Sequence, residues 1–155
     1  MTSATDSVRD VATAQRPSPV DAPVGGALAY RAFEARARRA PGATALVFGT
    51  ETLTYAELDA AADAIARRLR AAGVGPDARV GVCVQRGPAL VAALLGAWKA
   101  GGAYVPLDPA YPSDRLAYMA ADAGLAALVV EDGTRALFPE IAAPVVVLGE
   151  DGVED

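Results

Sequence analysis

Between residues 54 and 131 the chain switches three times from a helical stripe to a short continuous apolar run, and few folds accommodate that rhythm. The first stripe is Leu58, Ala62, Ile65, Leu69 and Ala72, spaced for one face of a helix. Thr54 stands at its start with Glu57 three residues on, the pattern of a capping box. Arg67, Arg68 and Arg70 fall in its last turns, where cations suit the helix dipole, and Gly73 follows as a stop. "ARVGVCV" at 78–84 then reads as a buried strand. Pro88 opens a second helix, with Leu90, Val91, Leu94, Leu95 and Trp98 expected inside, and "AYVPL" is the next strand. A third helix at 113–123 turns Leu116, Met119 or Ala120, and Ala123 inward and stops at Gly124. "LAALVV" is a strand and "PVVVLG" at 144–149 a further one. Such alternation with short connections predicts an α/β fold, with a partial, largely parallel sheet and flanking helices.

Upstream, residues 28–40 read as a helix with Tyr30, Phe33, Ala37 and Ala40 on one face, ended by Pro41 and Gly42. "ATALVFG" and "ETLTY" form two strands around a Gly49–Thr50 turn. Residues 1–27 are polar and dotted with Pro and Gly, as in a flexible leader. Residues 150–155 read as an acidic tail.

Composition narrows the function classes. Of the 155 residues 53% are apolar, but 37 are Ala, which buries little area, so one modest core is expected. Net charge is −5, and the acidic C-terminal part would repel nucleic acid. With no His and one Cys, the commonest general base, an intrachain disulfide and a Cys-based zinc site are all excluded. The run "PALVAALLGAW" at 88–98 is too short to span a bilayer and ends at Lys99. No partner membrane and a cytoplasmic location are therefore expected.

Candidate chemistry is sparse. "GVGPDA" at 73–78 matches G-x-G-x-x-A. It closes a helix and precedes a strand, the reverse of the dinucleotide-binding context, so it reads as a helix stop and turn. No G-x-x-x-x-G-K-[ST] phosphate loop is present. Cys83 reads as a buried thiol. Lys99 reads as a complement to its helix's C-terminus, and Asp108 as a turn residue bonding nearby backbone. Pro106, Pro109 and Pro112 recur every third residue. They fit either a polyproline ligand or a rigid strand-to-helix connector; within the alternation the connector is preferred.

Two longer stretches carry a family resemblance. "LTYAELDAAADAIARRLRAAGVGPDARVGV" (53–82) resembles the first core motif region of amino-acid adenylation domains of nonribosomal peptide synthetases, in the AMP-binding, adenylate-forming superfamily. "KAGGAYVPLDPAYPSDRLAYMAADAG" (99–124) resembles their second core motif, and "FEARARRAPGATALVFG" (33–49) their usual lead-in. The matching positions are Leu53, Thr54, Tyr55, Glu57 and Leu58 in the first motif. In the second they are Lys99, Ala100, Gly101, Gly102, Ala103, Tyr104, Val105, Pro106, Leu107, Asp108, Pro109, Tyr111, Pro112, Arg115 and Leu116.

The resemblance implies that 28–149 is the opening part of the large N-terminal subdomain of such an enzyme. For the longer protein it implies ATP-dependent formation of an aminoacyl adenylate, assisted by magnesium. The aminoacyl group then passes to a carrier protein's phosphopantetheine thiol. In the family the phosphate loop, substrate pocket, ribose-binding Asp and adenylating Lys come later in the chain than the matched motifs. No catalytic, cofactor-binding or metal-binding residue is therefore carried over, and Lys99 is not that lysine. The expectation is a fragment or truncated product, inactive alone and binding no cofactor itself. If Met1 is the natural start, the longer protein begins with this domain. Three alternatives compete: a non-catalytic partner that joins the rest of an adenylation domain through a sheet edge, a flavodoxin-like binding domain, and a fragment of a ligase for fatty or aryl acids.

Overall fold

The computed structural model describes residues 29–149; the expected leader at 1–27 and tail at 150–155 lie outside the described residues. Helix α1 (Ala29–Arg39) leads to an antiparallel hairpin of β1 (Thr44–Phe48) and β2 (Glu51–Thr54). The alternation follows as α2 (Tyr55–Ala71), β3 (Arg79–Cys83), α3 (Pro88–Lys99), β4 (Ala103–Pro106), α4 (Ser113–Ala123) and β5 (Ala127–Glu131). A one-turn helix α5 (Asp132–Arg135), absent from the sequence reading, precedes β6 (Val145–Leu148).

Strands β3 to β6 form one parallel sheet in the order β4-β3-β5-β6. Because side chains alternate across a strand, each face has its own core. Val80, Val82, Val129, Val146 and Leu148 face α2 and α3. Cys83, Leu128 and Val130 face α4, meeting Leu116, Ala120 and Phe138. Continuous burial along β3 and β5 is what a parallel sheet covered on both sides requires.

The ends of α2 follow its sequence. Thr54 accepts from the Glu57 backbone N–H at 3.3 Å, and the Glu57 carboxylate accepts from the Thr54 N–H at 2.8 Å. The Thr54 N–H first, and then the Thr54 hydroxyl donating to the same carboxylate at 2.7 Å, hold the exposed Glu57 carboxyl below its ordinary pKa. At the far end the Gly73 and Val74 N–H groups bond to the Arg70 and Leu69 carbonyls, with Gly73 at φ 91°. Helix α3 ends the same way: Gly101, at φ 93°, and Gly102 bond to Trp98 and Ala97. Both ends satisfy carbonyls through a left-handed residue that glycine adopts without a Cβ penalty.

Thr54→Ala is expected to cost about 1 kcal/mol in urea melts. Glu57→Gln should remove an acid-dependent contribution. Because the folded pKa is depressed, that contribution is full above the ordinary value of 4.5 and fades as pH falls through the folded one. Equal acid limbs in the Gln variant and wild type would contradict this.

Burial on α3 departs from expectation. Leu95 is buried as read, but Leu90, Val91, Leu94 and Trp98 are only half-buried. The deeply buried positions are Ala92, Ala93, Gly96, Ala97 and Lys99. Small residues face α2 because the helices cross closely: a Cβ on Gly96 would lie 2.7 Å from Ile65 Cγ2 and 3.1 Å from the Ala62 carbonyl.

Candidate functional site

The two motif regions meet at Lys99. Its side chain is 3% exposed, and its ammonium lies 2.5 Å from Asp59 Oδ1, 2.6 Å from Asp63 Oδ1 and 3.5 Å from Glu34 Oε1. Asp59 and Asp63 are four residues apart on α2, so one helix face presents both. Burial opposes the charge on Lys99, but the hydrogen bonds and charges of the two aspartates outweigh it. The ammonium's pKa is held above its ordinary value.

This corrects the expected role of Lys99. It does not serve the carbonyl end of its own helix. The Ala100, Gly101 and Gly102 N–H groups reach back to that helix, and the Arg70 guanidinium donates to the Lys99 carbonyl. The lysine is left free to cross-link α3 to α1 and α2. Leu53 and Tyr55, from the first motif, pack on the same side: Leu53 lies against that core, and Tyr55 meets Phe33 at 5.5 Å between ring centroids.

The proline-rich stretch runs along the C-terminal edge of the sheet. The Leu107 N–H bonds to the Val82 carbonyl at 2.9 Å, and its side chain is buried. Asp108 Oδ1 accepts from the Ala110 N–H at 2.9 Å and its carbonyl from the Tyr111 N–H at 2.9 Å, the expected turn role. Pro112 caps α4 at φ −55°, and the Arg115 guanidinium sits 4.1 Å from the Tyr111 ring centroid. Pro109 is half-buried. Every polar group of Asp108 that is engaged serves the turn, so the segment acts as a rigid connector.

In an open α/β sheet, ligands bind beyond the strand ends where the order reverses, here between β3 and β5. At that place the chain bonds to itself. Glu131 Oε2 accepts from the Gln85 N–H at 3.0 Å. The buried Thr134 hydroxyl donates to the Cys83 carbonyl at 2.7 Å and accepts from the Glu131 N–H at 3.0 Å. The Glu131 carboxylate on the Gln85 amide repels a phosphate there. Cys83 is buried, and its thiol is pushed up to about 11 by burial first, then by Asp108 and Glu131; it is no nucleophile at neutral pH. The "GVGPDA" segment is a turn, with Asp77 at φ 63°.

An open cavity of about 560 Å³ lies on the other face of the sheet, between α4 and residues 137–143. Its lining includes Asp114 and Glu140 but no basic residue. Among the described residues no group of three or more His, Cys, Asp or Glu is placed to hold a metal ion. The cavity therefore offers carboxylates but no cation to meet a phosphate.

Sequence reasoning missed Glu34, Asp59, Asp63 and Glu131. The first three had a signal: the sole lysine ends an apolar helix, and the two aspartates share a helix face. Glu131 had none, because its partner is a backbone amide 46 residues away.

A family model described as AMP-binding enzyme matches residues 33–153. The AMB antimetabolite synthetase AmbB of Pseudomonas aeruginosa is 47% identical over 139 residues, covering 90% of this chain and 11% of that protein. Bacitracin synthase 1 of Bacillus licheniformis is 45% identical over 107 residues, covering 69% of this chain and 2% of that protein. The crystal structure of the nonribosomal peptide synthetase FmoA3 with bound alpha-methyl-L-serine-AMP superposes with a TM-score of 0.75 at 38% identity. The match covers 83% of this chain and 14% of FmoA3. The chain thus spans a small fraction of the proteins it matches.

Proposed function

Because this chain belongs to the AMP-binding enzyme family, we propose that it supplies the N-terminal scaffold of an amino-acid adenylation domain without performing the chemistry itself. The chain corresponds to the N-terminal part of such domains in nonribosomal peptide synthetases. The activity proposed for the whole domain is condensation of an amino acid with ATP to an aminoacyl adenylate and pyrophosphate, followed by transfer to a carrier protein's phosphopantetheine thiol. ATP and magnesium belong to that larger body. In this chain Lys99 pins the two motif regions together, and the proline-stiffened turn fixes the sheet's C-terminal edge.

The observation that carries this reading is the Glu131 carboxylate on the Gln85 amide: at the crevice where a nucleotide-binding sheet would present oriented donors, this donor is already taken by a like-charged group. Phosphoryl chemistry depends on oriented amides, cations and metal around the phosphates.

Amino-acid-dependent exchange of labelled pyrophosphate into ATP tests it. The purified 155-residue chain is expected to match a no-enzyme control with each of the proteinogenic amino acids. Exchange clearly above that control would overturn the scaffold reading.

The alternative of a partner docking by sheet extension is weakened by both edges. On β4 the Ala103 and Leu107 N–H groups point to β3, so alternation leaves Tyr104 and Pro106 outward, and Pro106 has no N–H to offer. On β6 the Arg68 guanidinium caps the outward Val147 carbonyl at 2.8 Å. Blunted edges discourage strand addition.

A further inference from the structure

We propose that the cavity between α4 and residues 137–143 binds a small organic cation, a protonated amine on an apolar body. This inference goes beyond the scaffold role and does not depend on it.

The cavity exists because one of its walls is made of small residues. Ala117 and Ala121 of α4 and Gly124 at its end line it, three or four residues apart on one helix face. The rest of the lining is largely apolar, with Leu125, Leu137, Phe138 and Ile141. At about 560 Å³ it has the size of a small-molecule site, which pairs an apolar lining with a few polar groups.

The wall opposite α4 is pinned at both ends. The Arg135 guanidinium donates to the Phe138 carbonyl at 2.6 Å, and Phe138 is packed in the core with Leu116 and Ala120. At the far end the Leu128 N–H bonds to the Pro144 carbonyl at 2.9 Å. Between these pins no backbone group of 139–143 bonds to another described backbone group. The wall is held in shape while its carbonyls are left to accept from a bound donor, and an ammonium brings donors and no acceptor.

Charge selects the sign of the ligand. The charged residues of the lining are Asp114 on α4 and Glu140 on the facing segment, both acidic and exposed. The cations nearest in sequence are engaged elsewhere, Arg115 on the Tyr111 ring and Arg135 on the Phe138 carbonyl. A ligand phosphate or carboxylate meets repulsion here. That sets aside nucleotides, and in a free amino acid the carboxylate forfeits what the ammonium gains. An amine without an acidic group satisfies both the apolar lining and the two carboxylates.

The nitrogen-15-labelled 155-residue chain is titrated at neutral pH and low salt with phenethylamine. Phenethyl alcohol and hydrocinnamate serve as neutral and anionic probes of similar shape. The expected result is a set of saturable amide shifts confined to residues 113–125 and 137–143. The amine should bind roughly fivefold tighter than the alcohol, the margin that two exposed ion pairs supply, and the anion should not saturate. Added salt should erase that margin, as should Asp114→Asn combined with Glu140→Gln. Ala117→Leu, at an exposed helical position that tolerates leucine, should abolish binding of amine and alcohol alike while both carboxylates remain. The amide dispersion of each variant checks that it folds. Equal affinity for amine and alcohol overturns the proposal. So does amine binding unchanged by Ala117→Leu, or the lack of any saturable shift in the wild-type chain.

Discussion

Replacing Lys99 with methionine is expected to destabilise the chain by about 3 kcal/mol, the lower end of the cost of breaking a buried ion pair. Methionine fills similar volume, so the loss comes from charge: Glu34, Asp59 and Asp63 would face one another without a cation. Their side chains are 28%, 25% and 51% exposed, and retained hydration keeps the figure from going higher. Adding Asp59→Asn and Asp63→Asn to Lys99→Met should recover most of the loss, because the repulsion goes with the charges. Lys99→Arg should not substitute, since a planar guanidinium does not fit a site shaped for a compact ammonium.

The same cluster sets an alkaline limb. The unfolded lysine titrates near its ordinary 10.5 and the folded one above it. The folded state binds the proton more tightly, so the contribution is complete below about 10.5 and is lost as pH rises through the folded value. Urea midpoints measured from neutral to strongly alkaline pH should fall more steeply in wild type than in Lys99→Met. Parallel curves for the two proteins would refute the assignment.

Gly96→Ala together with Ile65→Ala is the second large effect. Alone, Gly96→Ala places a Cβ 2.7 Å from Ile65 Cγ2 and 2.9 Å from Ile65 Cβ, an overpacking expected to cost about 2 kcal/mol. Ile65→Ala, at a fully buried position, leaves a cavity worth about 3 kcal/mol. Combined, the new methyl occupies part of the space the isoleucine vacates, so the double variant should lose well under the sum of the two. The Ala62 carbonyl at 3.1 Å limits the recovery. Strict additivity in chemical denaturation would show that α2 and α3 do not meet at this pair.

The alternation of stripes and apolar runs was enough to read the α/β class and three strands of the sheet, because helical and strand periods differ so clearly in 54–131; β6 was read from its own apolar run at 144–149. Caps were legible where a single residue decides them: Thr54 and Glu57 at one end of α2, Gly73 at the other. The buried positions of α3 were not, since twelve nearly all apolar residues carry no polar face to orient the helix. Lys99 was misread because a cation at a helix end has a local explanation, whereas its partners lie 36 to 65 residues away in the chain. The single turn α5 was missed because four residues hold no periodicity. It is positioned by Thr134 reaching the Cys83 carbonyl, a contact spanning 51 residues.

Equilibrium binding of magnesium–ATP to the purified 155-residue chain, followed by calorimetry, tests most directly whether this is a framework without a phosphate grip. The expected result is heat indistinguishable from dilution up to about 1 mM nucleotide, the upper end of ordinary enzyme–substrate affinities. Saturable one-to-one binding in the micromolar range, reversed by unlabelled AMP but not by inorganic phosphate, would contradict it.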